Sequence, residues 1–277
     1  KMCTSAWEEA TSLSQLTLPL EPVPVQRLGG VRRWLAVYAD LFFIRWANVR
    51  NEWYFHVILG PLFPLAILAF MRMSGAVRDP AASLYVTAGN AIATLVLGPM
   101  QSLSNDLAWG RQRNDLEYYS TLPFSKLQLV LAFVSVATVF TIPGMLLTIF
   151  IGSLWLGFPV VFNPLVLPIM VASALSMAGL GVVMGVHARN GHHANMMNSI
   201  AMLVVMFMSP LLIPYENLPL VLRYTSRLLP TSYAADAFRA ALAGRSDPAV
   251  LASCGVVTLF AVAFLFLATR RLDWRVD

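Results

Sequence analysis

The chain is 277 residues long, 58% hydrophobic and only 12% charged, with a mean hydropathy of +0.67, whereas soluble domains carry roughly 25% charged residues. That balance excludes an ordinary water-soluble domain and makes membrane lipid the expected surroundings. The net charge of +5 does not signal nucleic acid, because the basic residues interrupt apolar blocks instead of gathering into a polar patch.

Residues 1–26 hold Glu8, Glu9, Glu21, Pro22 and Pro24 without a continuous apolar core, which predicts a cytoplasmic tail and no signal peptide. Residues 27–53 then place Val31, Trp34, Leu35, Tyr38, Phe42 and Trp46 at helical spacing, with Arg32, Arg33, Asp40 and Arg50 elsewhere. That pattern predicts an interfacial amphipathic helix. A seventh, partly polar span is the alternative.

Crossing a hydrocarbon core as helix takes about 20 mostly apolar residues. Six windows in 54–270 qualify, approximately 54–71, 84–103, 127–154, 164–186, 196–213 and 250–268, and none contains Asp, Glu, Lys or Arg. A charge at the centre of such a helix costs about 2.5–3.5 kcal/mol on insertion scales, so the exclusion is informative. With the amino terminus inside, the inner segments hold the larger share of Lys and Arg, although Arg223, Arg227, Arg239 and Arg245 fall together on the last outer segment. The bias predicts both termini, including the tail 271–277, in the cytoplasm, and the expected lack of a second large domain, a signal peptide and cysteine bridges fits a bacterial plasma membrane protein. Cys3 and Cys254 lie near opposite ends and predict no disulfide framework.

Between the second and third windows, residues 107–126 carry Arg111, Arg113, Asp115, Glu117, Pro123 and Lys126, which fits a short cytoplasmic helix. A charge run of this kind often does no more than keep a loop in water. Here, however, the chain resembles the type-2 ABC exporter permeases, whose second-to-third loop typically reads Arg-x-x-Gly-Thr-Leu-Glu, followed by Thr-Pro and a small polar residue. Arg111, Leu116 and Glu117 occupy matching positions, and Pro123 with Ser125 matches the later part. Leu122 is inserted before Pro123, and Asn114 stands where the pattern has Gly. The resemblance implies a coupling helix docked on an ATPase subunit, with Arg111, Arg113, Asp115, Glu117 and Pro123 as its contacts.

After the fifth window, Ser209, Pro210, Pro214 and Pro219 lead to a second amphipathic stretch, again similar to the family's Pro-x-x-x-x-Leu-Pro pattern. Thr231 or Ser232 is placed to cap a helix and Gly244 to end it, while Tyr233, Ala237, Phe238 and Ala241 share a face against Asp236 and Arg239. Two short helices at about 215–245 are expected, against the plain alternative of an extracellular loop. The resemblance implies re-entrant pieces forming an outer gate, with Pro214, Pro219, Tyr233 and Arg239.

A phosphate-cradling Walker loop needs a Lys after Gly, and neither Lys1 nor Lys126 has that context. The chain is therefore expected to carry no cofactor and to be no enzyme by itself. The resemblance implies ATP and Mg on a separate ATPase subunit in two copies, with a second permease copy, identical or related. Asn90, Thr94, Gln101, Asn195 and Asn198 lie inside or beside the windows and are candidates for a substrate pathway, against simple interhelical hydrogen bonding worth about 0.6–2 kcal/mol each. Met196, Met197, Met202, Met206 and Met208 suit either packing or a surface for varied apolar cargo. His187, His192 and His193 lack nearby Asp, Glu or Cys, so no metal is expected.

No nucleophile–base constellation marks an intramembrane enzyme, and no intramembrane charge or internal repeat marks a secondary carrier. A non-transporting anchor or sensor stays open. The expectation is an all-α membrane protein: six transmembrane helices, an interfacial amphipathic helix before them, and short re-entrant outer helices before the last span. The resemblance implies export of a hydrophobic drug-like, lipid or lipid-linked substrate. Spans rich in Leu, Val, Ala and Met favour drug-like or lipid cargo over a sugar polymer, which would call for an aromatic, polar-lined path.

Overall fold

The structure, a computed structural model, describes residues 30–54, 58, 60–75, 79–161, 163–212, 215 and 219–271. The expectations for both tails, and for Pro214, lie outside the described residues. Those described up to Ala36 form one unit, the first turns of a helix, and everything from Val37 onward forms a second, which holds all the packing described below.

The described residues form α1 (Gly30–Val49, continued by a 3-10 turn at Arg50–Glu52), α2 (Leu62–Met73), α3 (Pro80–Gln112), α4 (Asp115–Ser120) and α5 (Lys126–Leu156). They continue as α6 (Val166–His187), α7 (Gly191–Met208), α8 (Leu220–Ser226), α9 (Pro230–Leu242) and α10 (Pro248–Arg271). One isolated bridge, Val161 to Ala243, is the sole extended pairing among them.

Four of these helices, α3, α5, α6 and α10, are long and apolar enough to cross a membrane, and α2 is apolar but shorter. The window at 54–71 falls partly outside the described residues, and the one at 196–213 resolves into α7, which starts earlier and stops at Met208. Asn190 sets that start, because its side-chain oxygen accepts the His193 backbone N–H at 2.7 Å. The 84–103 window is the middle of a longer helix: α3 runs 33 residues. Residues 107–112, assigned from sequence to the polar loop, belong to it.

α3 is the hub, packed on α2, α5, α6, α7 and α9, while α10 covers α6 and α9. Small residues let the backbones approach, as membrane helices require in the absence of a hydrophobic drive between them. Gly181 and Gly185, one turn apart on α6, face the backbone of α3. A Cβ at Gly181 would lie 2.2 Å from the Met100 carbonyl oxygen, and one at Gly185 2.7 Å from that of Ser104. α5 begins with a reciprocal cap in which Gln128 N–H donates to the Ser125 hydroxyl and Ser125 N–H to the Gln128 side chain.

α1 is helical as its spacing predicts, and its inward side packs on α5. Leu41 is buried with Leu129 and Ala132, Trp46 lies 4.8 Å from the Phe140 ring, and the Tyr38 and Ser135 hydroxyls share a hydrogen bond of 2.7 Å. Phe43 and Ile44 are exposed on the other side, so the helix is less cleanly two-faced than the sequence reading holds.

α9 starts at Pro230, with no side-chain cap. Proline at a first helical position needs no partner for its missing N–H, so Thr231 and Ser232 are released from the capping role expected of them. They join Ser209 in a buried hydroxyl cluster instead, at 3.1 and 3.2 Å. Gly244 follows the helix at φ +73°, the left-handed geometry that ends it.

Candidate functional site

A cavity of about 780 Å³ lies between α1, α2, α3, α5 and α7. Asn90, Thr94, Gln101 and Asn105 line it from α3, at offsets of 0, 4, 11 and 15 residues, which keeps them on one face of a 3.6-residue helix. Phe63, Leu97, Phe140, Met202 and Met206 supply an apolar wall. Asn90 donates to the Pro64 carbonyl at 3.3 Å and Thr94 to the Asn90 carbonyl at 3.1 Å.

Three of the five pathway candidates, Asn90, Thr94 and Gln101, thus share this cavity. Asn198 stands behind it on α7 and donates to the Asn105 side-chain oxygen at 3.0 Å. Asn195 is exposed on α7 and does not line the cavity. Arg45, Ser102, Asn105 and Asp106 also line it and were not singled out from the sequence. Asp106 lies three positions past the 84–103 window, so hydropathy alone left it in a loop; extending the i+4 polar stripe would have reached it.

At the α4 end of the cavity, Arg45 on α1 forms an ion pair with Asp106 on α3, and the Ser102 hydroxyl donates to the same carboxylate at 3.3 Å. The Arg45 guanidinium also covers the Phe133 ring, 4.9 Å from its centroid. The pair is half-buried, and charges withdrawn from water even in part persist when paired and further hydrogen-bonded.

The polar loop closes on this end. Asn114, between α3 and α4, takes the left-handed conformation at φ +60°. This is the physical content of the departure noted in the sequence: the position demands positive φ, where Gly is unstrained and Asn is the most tolerant substitute. Asp115 and Glu117 occupy the first turn of α4, next to the positive end of its dipole. Arg113 pairs with Asp115 at 3.0 Å, an exposed pair worth about 0–1 kcal/mol.

Arg113, Glu117, Tyr118, Leu122 and Pro123 are exposed, and Arg111 is half-buried on the last turn of α3. Tyr119 anchors the loop from below through ring contacts with Phe124 and Phe133, at 6.1 and 6.3 Å. Burial raises its phenol pKa above the ordinary value, and the Asp115 carboxylate adds to the rise.

At the opposite end of α3, Arg239 departs from its expected place on a polar face. It is 6% exposed, because four acceptors and a ring converge on it. Its Nη2 donates to the carbonyls of Pro210 and Leu211 at 2.6 and 2.7 Å, and its Nε to that of Tyr85 at 3.2 Å. Nη1 meets Asp236 at 3.2 Å, and the Tyr85 ring lies 3.5 Å below the guanidinium carbon. Gly89 makes room for this crossing: a Cβ there would fall 1.7 Å from the Leu211 oxygen. Tyr233 is half-buried on α9, and Pro219 immediately precedes α8.

Among the described residues, no group of three or more His, Cys, Asp or Glu is arranged to hold a metal. His193 accepts the Arg189 backbone N–H at 3.1 Å, and His187 bonds the Val183 carbonyl at 2.8 Å, both local helix-end contacts.

Residues 30–243 match the model of the ABC-2 type transporter family. A stretch of 109 residues, 39% of this chain, is 27% identical to Nodulation protein J of Rhizobium leguminosarum bv. trifolii. That match covers 42% of the relative, so the chain spans less than half of its length. The family match takes in every helix from α1 to α9, including the hub helix, the turn at Asn114 and the Arg239 crossing. With four helices apolar and long enough to cross a membrane, the chain belongs to the ABC-2 type transporter family, as a membrane component that is not itself catalytic.

Proposed function

We propose that this chain is the permease subunit of an ATP-binding cassette exporter, moving a hydrophobic drug-like, lipid or lipid-linked substrate outward across the plasma membrane. Two copies of a separate ATPase bind ATP and Mg, and two permease copies complete the assembly. In this reading the chain crosses the membrane six times with both termini inside, α1 lies along the inner interface, and α8 and α9 sit at the outer mouth.

The observation that carries the reading is the continuity of α3. One helix of 33 residues, about 50 Å at 1.5 Å per residue, lines the cavity with Asn90, Thr94 and Gln101 and ends at the exposed Arg113–Pro123 surface. A domain docked on that surface and moving with the nucleotide cycle displaces the cavity wall directly. It thereby biases two packings of the same helices.

The test is to co-purify the chain with its candidate ATPase and measure complex formation and ATP turnover for wild type and for Arg113→Glu with Glu117→Arg. Loss of assembly and of turnover supports docking at this turn. An ATPase that associates and turns over equally with the reversed charges removes these residues from the interface, and failure of any ATPase to associate overturns the exporter reading.

A further inference from the structure

We propose that α8 is a lipid-anchoring helix whose Arg223 and Arg227 hold the phosphate of an anionic phospholipid in the leaflet at its end of the molecule. The lipid is a structural partner and not cargo, and its binding depends on neither an ATPase nor a transported substrate.

The two sides of α8 differ in the wrong sense for a helix in water. Ser226 is buried and Leu222 and Thr225 are half-buried on the inward side, where the helix packs on α7. Leu220, Val221, Tyr224 and, on the turn that follows, Leu228 face outward and are 69–74% exposed. At 3.6 residues per turn these four fall within an arc of about 100°. Arg223 and Arg227, one turn apart and both exposed, flank that arc beside Leu220. Large apolar side chains bordered by guanidinium groups are the pattern of a helix set into the boundary between headgroups and acyl chains.

The packing sets α8 at that level. The Ser232 hydroxyl donates to the Ser226 carbonyl at 2.6 Å, which ties the end of α8 to the first turn of α9 and so to the Arg239 crossing. Trp155, 46% exposed on the last turn of α5, marks the headgroup level at this same end. Gly152 on the preceding turn meets Thr87 of α3, two positions from the Tyr85 ring that Arg239 covers. The charges select the lipid. Among the described residues no ion pair involves Arg223 or Arg227, and with Leu220 and Tyr224 they line a recess of about 280 Å³, against about 30 Å³ for one water in the liquid. Guanidinium groups match phosphate oxygens with paired N–H donors. A choline lipid already carries an ammonium beside its phosphate, so two further cations favour a lipid of net negative charge. A second copy of the chain docked here about a two-fold axis would set guanidinium against guanidinium.

The test reads lipid at α8 itself. In the full chain, Cys3→Ser and Cys254→Ser remove the native thiols, and Leu228→Cys carries a fluorophore quenched by bromine. Nanodiscs of phosphatidylcholine then receive equal fractions of phosphatidylglycerol or phosphatidylcholine brominated on the acyl chains. Phosphatidylglycerol is expected to be enriched about tenfold at the label. Arg223→Gln or Arg227→Gln alone is expected to lower that preference about threefold, and the two together to abolish it. Lysine at both positions keeps the charge and is expected to keep most of the preference. Arg245→Gln, exposed on the turn after α9, is expected to change nothing. Excess inorganic phosphate is expected to leave the quenching intact; relief by phosphate would mark a site for soluble anions and overturn the lipid assignment. Equal quenching by the two lipids, a preference that survives the double glutamine variant, or a label that neither lipid quenches also overturns the proposal.

Discussion

Replacing Arg239 with methionine removes the guanidinium that ties α3 to the 209–212 turn and to α9, while keeping an unbranched side chain in its place. The Leu211 carbonyl then loses its 2.7 Å donor, and an orphaned buried acceptor costs about 1–3 kcal/mol. The Pro210 carbonyl keeps the Tyr85 hydroxyl at 2.8 Å, so losing its second donor costs only about 0.5–1.5 kcal/mol. The guanidinium lying 3.5 Å from the Tyr85 ring centre accounts for about 1–2 kcal/mol more. Asp236 adds little, because 40% of its side chain is exposed and water screens the pair. Together these come to about 2.5–6.5 kcal/mol. Equilibrium unfolding of the purified protein in detergent, followed by circular dichroism, reads it. Arg239→Lys keeps the charge but not the planar fork that reaches separate carbonyls, and is expected to recover less than half of the loss. A methionine variant within about 1 kcal/mol of wild type, the level of a single neutral hydrogen bond, would refute the assignment of Arg239 as the organising contact of this end.

Two further outcomes follow from packing and charge. Gly181→Ala places its Cβ 2.2 Å from the Met100 carbonyl oxygen, a backbone atom that cannot rotate away. It is expected to cost about 1–3 kcal/mol in the same unfolding measurement, whereas Gly255→Ala on α10, with nothing within 4 Å, is expected to be neutral or mildly stabilising; equal effects would refute the close approach of α6 to α3. Asp106→Leu alone strands Arg45 without its carboxylate partner and is expected to cost about 3 kcal/mol. Arg45→Met combined with Asp106→Leu is expected to restore most of that loss, since buried pairs are often replaceable by apolar residues; a double-mutant cycle with no coupling energy would contradict the pairing.

The sequence alone determined what depends on short-range pattern. Apolar runs of about 20 residues mark spans whatever their neighbours are, and they located α3, α5, α6 and α10. The Gly244 stop of α9 and the helix through Tyr38 and Trp46 are equally local. The alternation of charge and turn residues from Arg111 to Lys126 located the exposed turn, and the odd Asn114 within it became intelligible once its backbone angle was known.

Tertiary structure decided what depends on which faces meet. Hydropathy averages over a window and discards direction, so it could not tell that Asn90, Thr94 and Gln101 face one space while Asn195 faces away. It also cut α3 before Asp106, whose charge is tolerated because Arg45 arrives from a helix 61 residues earlier. Arg239 is the sharper case. Its burial is stabilised by carbonyls 28 and 29 residues away and by a ring and carbonyl 154 residues away. A backbone carbonyl carries no sequence signature as an acceptor, because every residue has one; only the folded chain says which of them converge.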